Sequence, residues 1–312
     1  MSRRRHSRRR VSCGGFTLVE LLVTIVIAAV VMSFVVLFLD TPIESYFAQT
    51  RRADLSDSAT RIAQAVTTDA RSALPNSLRV AGGGRRWALE MLATAGVARY
   101  YGAGEKTPDP NAANEELTLG SADGSFYTMS PFTGDSGPYG VARAPYLSVG
   151  NLGLNPLGGQ DAYATGPFCA ARPCAMTPAG GAPRLTARPQ GEQWVRYAPI
   201  TFVANGISNG RPNHNAYLVS SPVSYVCDAG AGTLTRYSGY AVTAAQPVPP
   251  PPQPGLVTAV IAHDVTACGP FAVVSARLEN YQFGEIAILN VTLSSGGESV
   301  QVFVQAPTEY TQ

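Results

Sequence analysis

The chain has few charged side chains and very few histidines. Charged residues make up 14% of the 312 residues, and there are three histidines; soluble domains usually hold roughly 25% charged residues. Gly and Pro together number 55, about 18% of the chain, which is below the roughly 25–30% that marks low complexity. With 45% hydrophobic residues, the sequence has enough apolar surface for a core. We therefore expect a folded, loop-rich domain.

Two motifs that suggest catalysis lack the residues they need. The sequence GDSG at 134–137 is similar to the nucleophile segment of trypsin-like proteases, but the only histidine before it is His6. The sequence GAGEKT at 102–107 has Glu105 where a phosphate-binding loop requires the glycine before its lysine. His214 and His263 lie in unrelated contexts. We expect no enzymatic activity, no catalytic residue and no cofactor.

One long apolar run, from Phe16 to Leu39, dominates the N-terminal region. Its 24 residues contain a single ionisable side chain, Glu20. As a helix the run would extend roughly 36 Å, enough to cross a bilayer, and it is longer than the roughly 7–15 residues of a signal-peptide core. Six arginines and no acidic residue precede it, so the positive-inside rule predicts a cytoplasmic leader and an extracytoplasmic remainder.

Glu20 is unusual because a charge within a membrane span costs on the order of 3 kcal/mol on insertion scales. Cleavage after Gly15 would leave an amine on Phe16, one helical turn before Glu20, and that amine could compensate the carboxylate within one subunit or between packed subunits. Gly15, Phe16 and Glu20 resemble, residue by residue, the processing motif of the type IV prepilin family. The alternative is a glutamate that is tolerated near the inner interface.

The resemblance to prepilins implies a sequence of events. A membrane prepilin peptidase would cut after Gly15 and N-methylate Phe16, and Glu20 would serve subunit docking with major and minor pilins in a helical filament. It also implies a location in the bacterial inner membrane, as a single-pass protein with a periplasmic C-terminal domain, and then in a pilus or pseudopilus. Removing the six leader arginines leaves 17 basic against 21 acidic residues, a net charge of about −4, so no nucleic-acid partner is expected.

Downstream of the apolar run, the pattern predicts a second helical half and then strands. Apolar residues recur at threes and fours from Glu44 to Leu74, and Pro75 should end that helix. Pro42 should kink the junction, or else two helices are joined by residues 40–42. After Pro75, short β-prone runs predict antiparallel strands at 87–92 and 97–101, as a first hairpin, and at 194–203, 216–226, 233–242, 257–265, 271–278, 286–293 and 300–304.

These patterns predict an α+β protein with a type IV pilin-like arrangement, in which a long N-terminal helix, half membrane-spanning and half amphipathic, packs on an antiparallel β-sheet domain. The expected parts are a cleaved leader at 1–15, a transmembrane or filament-core helix at 16–39, an amphipathic helix at 40–75, and an extracytoplasmic β-rich domain at 76–312. Turn residues dominate between about 102 and 190, which predicts an irregular insert there.

Three segments carry a narrower resemblance. Residues 46–80, 89–101 and 217–242 resemble the minor-pilin-like biogenesis proteins of MSHA-type pili. This implies a low-abundance structural subunit that initiates or caps a filament, moved by an inner-membrane platform protein and a cytoplasmic assembly ATPase. Two alternatives stay open: a J-type minor pseudopilin of a type II secretion system, and an adhesive, ligand-binding module at a pilus tip.

The cysteines suit an oxidising location outside the cytoplasm. Cys13 would leave with the leader, and the remaining four form an even set that predicts two disulfides. Of three possible pairings we favour Cys169 with Cys174 and Cys227 with Cys268, because the latter two each end a predicted strand. Free buried thiols are the alternative. A zinc site fits poorly, because only C-x4-C and two distant cysteines are present, and no metal is expected.

Overall fold

The computed structural model describes residues 15–102, 104–105, 116–133, 144–151, 153, 161–164, 174–178, 180–188, 191–202, 214–278 and 281–308, with the backbone alone at 36–43, 276–278 and 281–284. The chain divides into two compact units, residues 1–51 and residues 52–312. The first unit holds the apolar run and the second holds all the strands.

Helix α1 is assigned from Leu18 to Arg71. It continues through Pro42, although proline lacks the backbone donor that an interior helical position uses, so the two-helix alternative is not observed. The helix ends three residues earlier than predicted. Leu74 is no longer helical. Its amide donates a hydrogen bond to the carbonyl of Leu92 at 2.7 Å, which joins the chain to the neighbouring strand.

The first sheet has the strand order β1-β2-β7-β8-β9, with β4 pairing on β7. Its strands are β1 (Arg79–Gly83), β2 (Arg86–Arg99), β4 (Tyr146–Val149), β7 (Asn215–Asp228), β8 (Thr233–Ser238) and β9 (Val257–Ala262). The predicted hairpin at 87–101 is wrong, because β2 is one long strand. Its pairing with β7 shifts register between Ala93 and Gly96, so bulges absorb the irregular segment that had suggested a turn.

The second sheet has the order β10-β12-β11, and β13 also pairs with β12. It consists of β10 (Val265–Cys268), β11 (Ala272–Leu278), β12 (Tyr281–Ser295) and β13 (Glu298–Pro307). The β12–β13 hairpin confirms the strands predicted at 286–293 and 300–304. Its turn is formed by Gly296 and Gly297, both of which have a positive φ, a backbone conformation that glycine adopts without steric cost.

Part of the segment expected to be irregular, about 102–190, is a third sheet. This sheet has the order β3-β6-β5, from β3 (Ala122–Thr128), β5 (Arg184–Ala187) and β6 (Gln193–Thr201). A separate hydrophobic cluster, which includes Phe126, Val195 and Phe202, lies beneath it. The expectation of an irregular insert is therefore wrong for β3, β4 and β5, which gain their stability from pairing and burial rather than from a visible sequence period.

The main core of the second unit lies between residues 52–71 of α1 and the first two sheets. The helix contributes one buried face, and the sheets contribute residues such as Tyr225, Leu289 and Val302. The helical members are Leu55, Ile62, Val66 and Ala70. These four side chains belong to the apolar repeat at 44–74 and are buried, whereas Phe47 of the same repeat, in the first unit, is 55% exposed.

Candidate processing and docking site

The backbone before α1 leaves the predicted cleavage bond outside helical structure. Residues 15–17 are non-helical, and Thr17 caps the helix, because its Oγ1 accepts a hydrogen bond from the Glu20 amide at 3.3 Å. Thr17 and Glu20 have the spacing of a capping box, in which a polar side chain satisfies a free amide of the first turn. Phe16 is 74% exposed. The Gly15–Phe16 bond therefore lies in an exposed, non-helical segment.

The first unit presents a continuous apolar surface. Residues Leu18–Val35 form a segment long and apolar enough to cross a membrane, and none of it is buried. Its two hydroxyl side chains are satisfied by the helix itself: Thr24 and Ser33 each donate to a backbone carbonyl one turn earlier, at 2.8 Å. A helix with all its polar backbone satisfied and apolar side chains on every side suits lipid or a bundle of like helices.

Glu20 lies in the first turn of this apolar helix and its side chain is exposed. An acidic residue in the first turn interacts favourably with the helix dipole. In an apolar environment it also needs a cationic partner or a proton. Gly15, Phe16 and Glu20 thus lie within six residues, and an amine created at Phe16 would be one turn away from the carboxylate.

The three cysteines that the structure describes in the second unit are all disulfide-bonded. A disulfide joins Cys227 at the end of β7 to Cys268 at the end of β10, which is the pair favoured on sequence. It connects the first sheet to the second. Cys174 is also disulfide-bonded, and Cys169 lies outside the described residues. No cluster of three or more metal-ligating side chains occurs in the described part of the chain.

The residues weighed for catalysis do not form a common site where the structure describes them. His214 stacks on Tyr100 and its Nδ1 lies 3.2 Å from Glu105 Oε2, whereas His263 is exposed. Partial burial would raise the pKa of Glu105, but hydrogen bonds from the Gly102 amide, His214 and Arg99 lower it overall. The GDSG segment and Lys106 lie outside the described residues, so the absence of enzymatic activity stays a prediction.

Sequence reasoning missed a group of cationic and aromatic side chains on the third sheet. Arg184 and Arg188 come from β5 and the residue after it, Tyr127 from β3, and Trp194 and Arg196 from β6. Only the pairing of three strands brings them together. The alternation of Arg184, Thr186 and Arg188 was the one visible signal, since residues two apart share a face of a strand.

Comparison with known proteins bears on the N-terminus. Residues 10–36 match the family model of the prokaryotic N-terminal methylation motif, a type IV prepilin-like motif. No curated protein and no solved structure matches the chain. The matched range contains the non-helical cleavage segment, the capped helix start and Glu20. The motif indicates a type IV pilin-like or pseudopilin-like protein, which implies processing by prepilin peptidase and assembly with other pilins.

Proposed function

We propose that the chain is a minor pilin that initiates or caps an MSHA-like type IV pilus, in the manner implied by its resemblance to the biogenesis protein MshO. The observation that carries this proposal is the methylation motif at residues 10–36, which coincides with a capped, fully exposed apolar helix. Within the described residues of the first unit nothing covers this helix, so lipid and then neighbouring subunits would cover it.

The first proposed step is processing at the membrane. With six leader arginines held in the cytoplasm, the Gly15–Phe16 bond would lie at the inner membrane surface, where prepilin peptidase acts. The exposed, non-helical backbone at residues 15–17 supports cleavage there, because a protease needs a segment it can extend. The domain from residue 52 onward would then be periplasmic.

The second step is docking of the cleaved helix. Glu20 would compensate the amine of Phe16 on a neighbouring subunit, so that each new subunit is held in register by a charge pair within an apolar bundle. A platform protein and a cytoplasmic ATPase would move the subunits. A charge pair within an apolar bundle favours one axial position of a helix relative to its neighbour. A helical filament requires such a fixed axial rise from one subunit to the next.

The narrower assignment to an MSHA-type system is supported by where the three resembling segments lie. Of the segments 46–80, 89–101 and 217–242, the part that belongs to the second unit supplies the buried face of α1 and the adjacent strands β1, β2, β7 and β8. The resembling residues thus belong to α1 and to the first sheet, and none of them lies in the third sheet. A J-type minor pseudopilin of a type II secretion system is the alternative assignment.

A Glu20→Ala variant separates insertion from assembly. The substitution removes a charge from an apolar helix, so membrane insertion and cleavage should be unimpaired. Assembly should fail, because the amine of the next subunit loses its compensating carboxylate. A deletion strain is complemented with wild type, Glu20→Ala or the control Glu44→Ala. Cleavage is measured by intact mass, surface filaments by electron microscopy, and protein secretion into the medium by gel analysis.

The filament proposal predicts no filaments with cleaved Glu20→Ala and normal numbers with Glu44→Ala. Normal piliation by cleaved Glu20→Ala, in a host whose deletion has none, would contradict it. A deletion that abolishes secretion and leaves piliation unchanged would favour the type II pseudopilin.

A second candidate function is a ligand-binding module exposed at a filament tip. The observation that favours it is the third sheet, which has its own hydrophobic cluster and carries the cationic and aromatic side chains described above, of which Arg184 and Arg196 are exposed. Normal piliation with lost surface attachment on deletion would support this function over a purely structural one.

A further inference from the structure

A ladder of arginine and aromatic side chains covers the outer face of the third sheet. Tyr127 and Trp194 stack with their rings nearly parallel, at 10° and a centroid distance of 6.1 Å. The Arg188 guanidinium lies 5.0 Å from the Tyr127 centroid, and the Arg196 guanidinium lies 4.5 Å from the Trp194 centroid. Cation–π contacts of this kind hold an arginine in place without using its hydrogen-bond donors.

A third arginine extends the ladder along the sheet. Arg184 on β5 is the direct register partner of Arg196 on β6, and both side chains are exposed. Their neighbours Leu185 and Val195 pack in the cluster beneath the sheet, so the two arginines share the opposite face. Like charges placed directly across two strands destabilise the pair, unless an anion lies between them.

In the described part of the chain, no carboxylate compensates these three arginines. None of them takes part in an ion pair or a side-chain hydrogen bond there. Nearby acidic residues are already engaged: Glu192 is buried and accepts from the Tyr101 hydroxyl at 2.8 Å, and Asp123 accepts from backbone amides, at 2.7 Å for Gly124. The guanidinium donors of these three arginines are therefore free to bind an anion, and aromatic rings orient those of Arg188 and Arg196.

We propose that this face binds the carboxylate groups of an acidic polysaccharide. Arginine binds carboxylates in a planar, two-pronged geometry, and a polymer of uronic acids presents one carboxylate per sugar with hydroxyls between. Single-stranded nucleic acid fits less well, because it needs open aromatic faces for its bases, whereas Tyr127 is buried and an arginine lies over each of the two rings. Three arginines are also few for duplex binding, which uses more phosphate contacts.

The proposal specifies a ligand class for the second candidate function, and its test needs no filament. Full-length protein is purified in micelles of a neutral detergent, and binding to polygalacturonate is measured at pH 7 and low salt. Methyl-esterified polygalacturonate has the same backbone without the charge. The expected result is binding to polygalacturonate that weakens with salt, with little binding to the methyl ester.

Substitutions localise the binding. The double variant Arg184→Gln/Arg196→Gln should lower the affinity for polygalacturonate about tenfold or more, because each substitution removes a charge-assisted contact. The matched control Arg61→Gln/Arg85→Gln removes the same charge from exposed positions elsewhere and should stay within about twofold. Circular dichroism checks folding. If the double variant does not fold, the single Arg184→Gln on edge strand β5 replaces it.

Three results would overturn the proposal. The first is no binding of wild-type protein to polygalacturonate, and the second is equal weakening in the control variant. The third is tighter binding of an oligonucleotide that the same two substitutions abolish, which would reassign the face to nucleic acid. Each is obtained on the isolated chain, so failure here is distinguishable from failure of the filament proposal, which is scored by piliation.

Discussion

The buried carboxyl of Glu285 should make the stability of the second unit depend on pH near neutrality. Glu285 begins the described side chains of β12, is 5% exposed, and accepts a hydrogen bond from the Leu78 amide at 2.9 Å. Burial raises its pKa to about 7; the Leu78 hydrogen bond opposes this rise and the nearby Asp161 carboxylate adds to it.

The sign of the effect follows from proton linkage. The folded protein binds the Glu285 proton more tightly than the unfolded chain, whose glutamates titrate near 4.5. The stability contribution is therefore fully present below about pH 4.5 and is lost as pH rises through about 7. Between pH 8 and pH 5 the shift corresponds to about 2.5 kcal/mol in the free energy of unfolding. Glu285→Gln, which keeps an acceptor for Leu78, should remove this dependence.

The assay is urea denaturation followed by circular dichroism, on the full chain in neutral detergent, at pH 5 and pH 8. The stability of Glu285→Gln minus that of wild type should be about 2.5 kcal/mol more favourable at pH 8 than at pH 5. Any pH-independent cost of the amide cancels in this comparison. Asp57→Asn, at an exposed helical position, is the control. A difference that is the same at both pH values would refute the reasoning.

Three further predictions concern what holds the second unit together. Cys227→Ser should lower the free energy of unfolding by about 4 kcal/mol under non-reducing conditions, because its disulfide closes a separation of 41 residues; chemical denaturation measures this loss. Ile62→Ala should cost about 2–5 kcal/mol in the same assay, since the side chain is fully buried. Asp69→Ala should cost about 2 kcal/mol, because the Arg236 guanidinium (2.6 Å) and the Tyr225 hydroxyl (2.5 Å) lose their acceptor, and Asp69→Asn should recover part of that loss.

The elements that could be predicted from the sequence are those whose own residues show a hydrophobic period. The apolar repeat of α1 identified Ile62, Val66 and Ala70 as buried, because helix periodicity is local. In β13 the valines Val302 and Val304 are buried and Phe303 is exposed, in keeping with the local alternation of its sequence. The strand ends likewise indicated the disulfide between β7 and β10.

The elements that were missed depend on distant partners. Strand β3 begins with Ala122, Asp123 and Gly124, residues typical of turns, and it is a strand because β6 pairs with it. Strand β4 is only four residues long and buried throughout, so it shows no alternation. The arginine ladder needed the register of β5 on β6, which no single segment encodes. The processing motif needed no such information, because Gly15, Phe16 and Glu20 lie within six residues of one another in the sequence.

The N-terminal residue of the protein purified from its native membrane tests the central claim most directly. N-terminal sequencing and intact mass should identify a chain that begins at Phe16 and carries a methyl group on its amine, because the Gly15–Phe16 bond is exposed and non-helical and residues 10–36 match the methylation motif. A retained leader, or a chain that begins beyond Leu39, would contradict the account.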